Sequence, residues 1–116
     1  MLTKPTKVNV MGTEIRVEFR KEAEDPKLKG LSGYYDCTEN LIVVKIFEPD
    51  AYALGNLEVL QKGCLRHEII HAFLFESGVE ACSNPPDAWA TNEEMVDWFA
   101  IQSPKIFKAF QEVGAF

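Results

Sequence analysis

Hydrophobic and polar residues alternate along the first half of the chain in a pattern that predicts two β-hairpins. Within residues 8–10 and 15–19 every second side chain is hydrophobic, and Gly12 lies at the turn between these segments. A period of two is typical of strands with one buried face. Further along, residues 34–35 and the run LIVVKIF at 41–47 flank the polar segment CTEN, which favours a turn, so they indicate a second hairpin.

The second half of the chain predicts three helices. Hydrophobic side chains from residue 57 to residue 77 spread widely around a helical circumference, and Gly78 follows as a C-cap. A second helix is expected to begin near Thr91, and a third at Ser103 and Pro104, which favour the N-cap and the first helical position. The whole pattern predicts an α+β fold in which a small antiparallel or mixed sheet packs on the first helix, followed by two further helices.

Composition and charge narrow the class of protein. A chain of 116 residues is long enough for a single domain, spanning residues 1–116, with its own hydrophobic core. The net charge of −6 argues against a nucleic-acid-binding surface, and no apolar run is long enough to span a membrane. Three widely spaced cysteines and an N-terminus without a signal-peptide pattern favour a cytoplasmic protein with reduced thiols. Nothing in the pattern indicates an oligomeric state.

The segment HEIIH, from His67 to His71, places two metal-ligating side chains on one face of the first helix. Residues four apart in a helix lie about 6 Å apart along its axis, so both imidazoles can bind one ion. Glu68 is rotated from them by roughly 100° and can instead reach a water beside the ion. Two histidines on zinc with a glutamate as general base is the arrangement of metallopeptidases. The alternative is a pair of core histidines satisfied by hydrogen bonds.

A zinc site needs a third ligand, and the chain has only these two histidines. Cys64 lies two turns from His71, about 10.5 Å along the helix, so it is better explained as a small core residue. Cys82 lies in the loop after the first helix and can fold back towards the site. Glu93 is the better candidate, because Asp97 lies one turn further on the same helix face and can accept the spare N–H of a ligating histidine.

The neighbouring Glu94 has a different expected role. Thr91-x-x-Glu94 matches a capping box, in which the two side chains satisfy the first N–H groups of a helix. This leaves Glu93 as the ligand and Asp97 as the partner of a ligating histidine. The alternative for all three acids is a solvated helix N-terminus, where negative charge is favoured in any case.

HEIIH, followed in the next predicted helix by NEEMVD, resembles the gluzincins, the thermolysin-like zinc peptidases whose third ligand is a glutamate. The segment EEMVDWFA is similar to the ImmA/IrrE-like metallopeptidases of bacteria, phages and mobile elements, which carry a ligand glutamate shortly before a Phe-Ala pair, here Phe99-Ala100. The resemblance implies a minimal zincin-like domain that binds Zn²⁺ through His67, His71 and Glu93.

The expected activity is zinc-dependent hydrolysis of peptide bonds, with Glu68 as the catalytic general base and a protein or peptide as substrate. An extended peptide can add to an exposed sheet edge beside the site. Tyr34, Tyr35, Tyr52 and Arg66 are candidates to stabilise the oxyanion, and the sequence does not choose among them. The alternative function is a catalytically inactive zinc-binding or protein-interaction module of phage or mobile-element origin, whose structural site would be closed by four ligands.

Overall fold

The fold confirms the predicted α+β class, because a four-stranded mixed sheet is combined with two long helices. The computed structural model describes residues 1–49, 55–83 and 88–115. The elements are strands β1 (Thr6–Val10), β2 (Thr13–Arg20), β3 (Gly33–Asp36) and β4 (Leu41–Lys45), helices α1 (Leu57–Glu76) and α2 (Glu93–Glu112), and 3-10 turns at Glu22–Glu24, Pro26–Leu28 and Trp89–Thr91. No helix within the described ranges is long and apolar enough to cross a membrane.

The sheet has the strand order β1-β2-β4-β3, so β3 lies at one edge. Both predicted hairpins are confirmed, since β1 pairs with β2 and β3 with β4, each antiparallel. The central strands β2 and β4 are parallel, with Val17 opposite Ile42, and this makes the sheet mixed. At the first turn Met11 and Gly12 have φ angles of 51° and 93°, as a two-residue hairpin turn of the favoured twist requires.

Strand β4 shows why LIVV is an unbroken hydrophobic run. Ile42 and Val44 belong to the cluster that packs against α1, whereas Leu41 and Val43 pack on the opposite side with Leu28. Both faces of this strand are therefore buried, as in a sheet covered on each side. The larger cluster, between the sheet and α1, also contains Val10, Ile15, Val17, Phe19 and Ala72.

Helix α1 begins and ends close to the predicted positions. The Asn56 side chain accepts a hydrogen bond from a backbone N–H of the first turn and caps the start of the helix. At the other end Gly78 has a φ of 82° directly after the cap residue Ser77, a conformation that favours glycine. Gln61 is fully buried, and its amide bonds both the N–H and the carbonyl of Leu2, which ties the N-terminal segment to α1.

Helix α2 is one continuous helix, so the prediction of a third helix beginning at Ser103 and Pro104 is wrong. Pro104 lies inside α2, where it cannot donate to the carbonyl of Ala100 one turn earlier. Instead, Nε of Arg66 on α1 donates to that carbonyl oxygen at 2.6 Å. Ser103, the expected N-cap, is buried within the fold. A partner distant in sequence therefore replaces the missing helix bond, and the helix continues.

The start of α2 also differs from the prediction. Asn92 is the N-cap, and its side chain accepts a hydrogen bond from a backbone N–H of the first turn. Thr91 belongs to the preceding 3-10 turn, and its hydroxyl donates to the carbonyl of Ala88. The predicted capping box between Thr91 and Glu94 is therefore wrong. The helix itself begins at Glu93.

Candidate metal centre

His67 and His71 project from one face of α1, as their spacing predicts. Their Nε2 atoms lie 3.0 Å apart, and the two rings meet edge to face with centroids 4.7 Å apart. Their side chains are mostly buried, with exposed fractions of 16% and 19%. Helical geometry brings the two nitrogens to one point, because residues four apart share a face.

Glu93 completes the group from the first position of α2. One of its carboxylate oxygens lies 3.0 Å from Nε2 of His67, and the other lies 3.1 Å from Nε2 of His71. Within the described residues, these three side chains form the group whose metal-ligating atoms all lie within 4.8 Å of one another. The structure therefore brings together the three ligands that the sequence predicts.

Asp97 lies one turn after Glu93 and contacts the other ring nitrogen of His67. Its Oδ1 atom is 2.6 Å from Nδ1. Since a carboxylate only accepts hydrogen bonds, Nδ1 of His67 is the donor to Asp97, and Nε2 is the nitrogen that faces Glu93 and His71. The side chains of Glu93 and Asp97 are 65% and 62% exposed, so the site opens to solvent on the α2 side.

The donor set and its spacing fit a zinc ion. Two imidazoles and one carboxylate are the ligands of a well-known type of catalytic zinc site. Tetrahedral bonds of about 2.0–2.1 Å place the donor atoms roughly 3.3 Å from one another. The observed separations are 3.0 and 3.1 Å, so a small outward movement of the side chains accommodates the ion. Among the described residues this group offers three possible ligands.

Glu68 follows His67 in sequence but lies on another side of α1. It is only 8% exposed, although its side chain is a carboxylic acid. Burial raises the pKa of Glu68 to about 7; the neighbouring His67 opposes this rise, and the negative charge of Glu93 adds to it. Such a group changes its protonation state near neutral pH, which suits a general base.

Gly33, the first residue of β3, lies where a side chain would press on the backbone of β4 and touch Glu68. A Cβ atom on Gly33 would lie 3.5 Å from Cγ of Glu68 and only 2.8 Å from the carbonyl oxygen of Val43. The glycine therefore allows β3 to pass close to the backbone of β4, whereas the contact of its Cβ with Glu68 would be an ordinary one. The sequence carries one signal for this role, a glycine directly before two tyrosines of a predicted strand, and we did not predict it.

A cavity of about 1090 Å³ extends along α1 beside the ligand group. It lies between the β3 side of the sheet and α2, and its walls include Glu68, Glu93 and Asp97 together with both histidines. Three exposed hydrophobic side chains from separate parts of the chain also line it, namely Leu31, Val59 and Ile101. The cavity is large enough for a short segment of polypeptide to reach the ligands.

The four candidates for oxyanion stabilisation differ in their surroundings. The Tyr34 hydroxyl donates a hydrogen bond to Asp25 at 2.5 Å, and Nε of Arg66 donates one to the carbonyl oxygen of Ala100 on α2. The Tyr35 hydroxyl is buried and has no hydrogen-bond partner among the described residues. Tyr34, Tyr35 and Arg66 all line the cavity. Tyr52 lies outside the described residues.

The alternative ligands remain outside the group. Cys64 lines the cavity and is half-buried, and this burial raises the pKa of its thiol. Cys82 is exposed beyond the end of α1. Neither thiol, nor the carboxylate of Glu94, joins the ligand atoms of the two histidines and Glu93.

No protein-family model, no curated protein and no solved structure matches this chain. Its function is therefore inferred from the side chains that α1 and α2 bring together. These define a group of two histidines and one glutamate that can hold a metal ion, with a buried carboxylic acid beside it.

Proposed function

We propose that the protein is a zinc-dependent metallopeptidase of the gluzincin type, built as a minimal zincin-like domain similar to the ImmA/IrrE-like enzymes. The observation that carries this proposal is the convergence of His67, His71 and Glu93 on one point, with the buried Glu68 beside them. The spacing of HEIIH and the position of Glu93 on the following helix match the pattern of the gluzincins, which this sequence resembles.

Zinc is the metal that the donor set favours. Imidazole nitrogens combined with a single carboxylate suit Zn²⁺, whereas Mg²⁺ and Ca²⁺ prefer sites made entirely of oxygen. Three protein ligands with one free position are typical of a catalytic site, since a structural site is closed by four. A bound zinc ion would supply Lewis acidity, which polarises a carbonyl group and acidifies water.

Glu68 is the proposed general base. Its carboxylate would accept a proton from the attacking water and then donate that proton to the amine nitrogen of the leaving peptide. With no cation present, burial holds its pKa at about 7. A divalent cation nearby favours the ionised form electrostatically, so the loaded site would hold Glu68 ready to accept a proton.

The substrate is expected to be a protein or peptide in an extended conformation. Strand β3 is the edge strand of the sheet beside the cavity, so its outer backbone groups are not paired within the sheet. A peptide that adds to this edge gains backbone hydrogen bonds and lies along α1. Gly33 lies on that edge next to Glu68, which supports the placement of a scissile bond at this level.

A zinc-reconstitution experiment tests the proposal. The full chain is loaded with one equivalent of Zn²⁺ and incubated with a peptide library, and the products are identified by mass spectrometry. Cleavage that a chelator abolishes and added zinc restores would support a metallopeptidase. Stoichiometric zinc without cleavage would favour the non-catalytic zinc-binding module instead. Failure to bind zinc would refute the site itself, and His71→Ala serves as the metal-free control.

A further inference from the structure

Pro104 changes the hydrogen bonding of α2 one turn before it. In a regular helix the N–H of residue 104 would donate to the carbonyl of Ala100, but proline has no N–H, and its ring presses against that carbonyl. Ala100 is only 2% exposed, so bulk water has little access to the position. The carbonyl therefore needs a donor from elsewhere in the fold.

Arg66 supplies that donor from α1. Its Nε lies 2.6 Å from the carbonyl oxygen of Ala100, a short and charge-assisted bond. Arg66 directly precedes the ligand His67, and Ala100 lies one turn after Asp97. The bond between the helices is therefore adjacent to the hydrogen bond that orients His67.

Successive contacts show that α1 and α2 run antiparallel at the site. His71 meets Glu93, His67 meets both Glu93 and Asp97, and Arg66 meets Ala100. A slip of α2 by one residue would move Glu93 by about 1.5 Å and rotate it by roughly 100°, away from both histidines. The ligand group therefore depends on the position of α2 along α1.

Packing of the acidic side chains themselves cannot fix this position. Glu93 and Asp97 are 65% and 62% exposed, so contacts further along the helix add to the hydrogen bond between Asp97 and His67 in placing the backbone of α2. Ala100 and Val96 are buried side chains of α2. Small apolar side chains allow two helices to slide past each other, whereas a hydrogen bond holds one donor to one particular carbonyl oxygen.

We propose that Arg66 is a positioning residue for the metal centre, and that Pro104 creates its acceptor by leaving the Ala100 carbonyl without a helix donor. The inference rests on the proposed function, because it concerns the affinity of the same site for zinc. Among the described residues no hydrogen bond or ion pair joins Arg66 to His67, His71 or Glu93. It acts through the placement of α2, which carries Glu93 and Asp97.

The sign of the effect separates positioning from simple electrostatics. Arg66 carries a positive charge next to a cation site, so its removal would by charge alone strengthen zinc binding. Loss of positioning predicts the opposite. We expect Arg66→Met, which keeps most of the apolar stem, to weaken zinc binding by about 10-fold, at the low end for residues that orient ligands. Arg66→Lys keeps a charged donor and should recover most of that loss.

A double-mutant cycle with Pro104 tests the second half of the proposal. In Pro104→Ala the new N–H can satisfy the Ala100 carbonyl within α2. Arg66→Met should then cause less than about a 3-fold further loss of zinc affinity, because both changes act on one contact. Zinc affinity is measured by competition with a chromophoric chelator, and thermal unfolding of the zinc-free proteins is followed in parallel. Lys62→Met, which removes an exposed cation from the same helix, is the matched control.

The possible outcomes are distinct. If Arg66→Met lowers thermal stability but leaves zinc affinity within about 2-fold of the wild type, Arg66 is merely structural and the proposal fails. If Arg66→Met lowers zinc affinity by the same factor of about 10 in the wild type and in Pro104→Ala, the Ala100 carbonyl does not have the proposed role. Should Arg66→Met not fold, Pro104→Ala still tests the contact, since it offers the Ala100 carbonyl a second donor while Arg66 stays in place. A wild-type protein that binds no zinc would instead overturn the proposed function.

Discussion

Asp97 accepts a hydrogen bond from Nδ1 of His67 over 2.6 Å. The other nitrogen of that ring lies 3.0 Å from Glu93, one turn earlier on the same helix. One imidazole of α1 is thus contacted on both of its nitrogens by carboxylates of α2. The contact to Asp97 fixes the tautomer in which Nε2 is available to a metal.

We expect Asp97→Asn to weaken zinc binding by about 10-fold without removing a ligand. Asparagine has nearly the same shape, but it lacks the charge that raises the basicity of His67. Competition with a chromophoric chelator measures the change. Glu94→Gln is the matched control, since it removes one negative charge from the same region of α2 outside the ligand group. Equal losses in both variants would show that only the net charge matters.

Glu93 and Glu94 are adjacent acids with different expected roles. Glu93→Ala should remove the third ligand and lower zinc affinity by more than about 100-fold, beyond the loss of an orienting partner. Glu94→Ala should keep the metal and cost only about 0.3–1 kcal/mol, because a negative charge near the start of a helix is lost. Zinc content and thermal unfolding distinguish them. If Glu94→Ala loses zinc and Glu93→Ala keeps it, the assigned start of α2 is wrong.

The actual N-cap provides a separate test of that helix start. Asn92→Ala should lower stability by about 1 kcal/mol, since Asn92 caps α2. Thr91→Ala should have a smaller effect, because the Thr91 hydroxyl bonds only within the preceding 3-10 turn. Chemical denaturation of the zinc-free variants measures both. A larger loss for Thr91→Ala than for Asn92→Ala would restore the capping box that the structure contradicts.

Glu68→Gln should retain zinc and the fold but lose hydrolysis, because glutamine is nearly isosteric and cannot accept the proton.

Burial of the Glu68 carboxyl also predicts that the stability of the zinc-free protein depends on pH. A carboxyl whose pKa rises from 4.5 to about 7 on folding stabilises the fold most while it is protonated. Its contribution is complete below pH 4.5 and declines as the pH rises towards 7.

Urea denaturation across that pH range, with a chelator present, measures this decline. The difference in unfolding free energy between the wild type and Glu68→Gln should change steadily in favour of the variant as the pH rises. The same titration of Glu94→Gln is the control for an exposed acid on α2 outside the ligand group. A difference between wild type and Glu68→Gln that stays constant with pH would mean that Glu68 is not buried as described.

The ligand group was predictable because its signals are local. His67 and His71 need only the helical period, and Glu93 with Asp97 needs the same period on the next helix. The first hairpin follows from alternation, and the second follows from a hydrophobic run beside the polar segment CTEN, so both signals are local. The parallel pairing of β2 with β4 has no such signal, since these strands are not consecutive and their contact depends on the whole sheet.

The errors in the prediction occur where residues distant in sequence decide the structure. Ser103 and Pro104 are a good local signal for a helix start, yet Arg66, far away on α1, satisfies the carbonyl that Pro104 leaves open. Thr91 and Asn92 are both good N-cap residues. The choice between them depends on the 3-10 turn before α2, which takes Thr91 for its own hydrogen bond.

The close approach of β3 to the backbone of β4 at Gly33 provides the last prediction. Gly33→Ala should destabilise the fold by about 1–3 kcal/mol, the usual cost of overpacking, because its Cβ would lie 2.8 Å from the backbone oxygen of Val43. Backbone cannot rotate away as a side chain can, so β3 must move, and Glu68 beside it should lose part of its burial. Any hydrolytic activity should therefore fall more than zinc affinity does.

Gly63→Ala is the matched control for this change. A Cβ at Gly63 would meet only the end of the Arg66 side chain, at 3.8 Å, and an alanine within α1 should stabilise the helix by about 0.5–1 kcal/mol. Thermal unfolding of the two variants should therefore shift in opposite directions. If Gly33→Ala is as stable as the wild type, β3 does not pass as close to β4 and Glu68 as described, and the proposed placement of a substrate along that edge loses its main support.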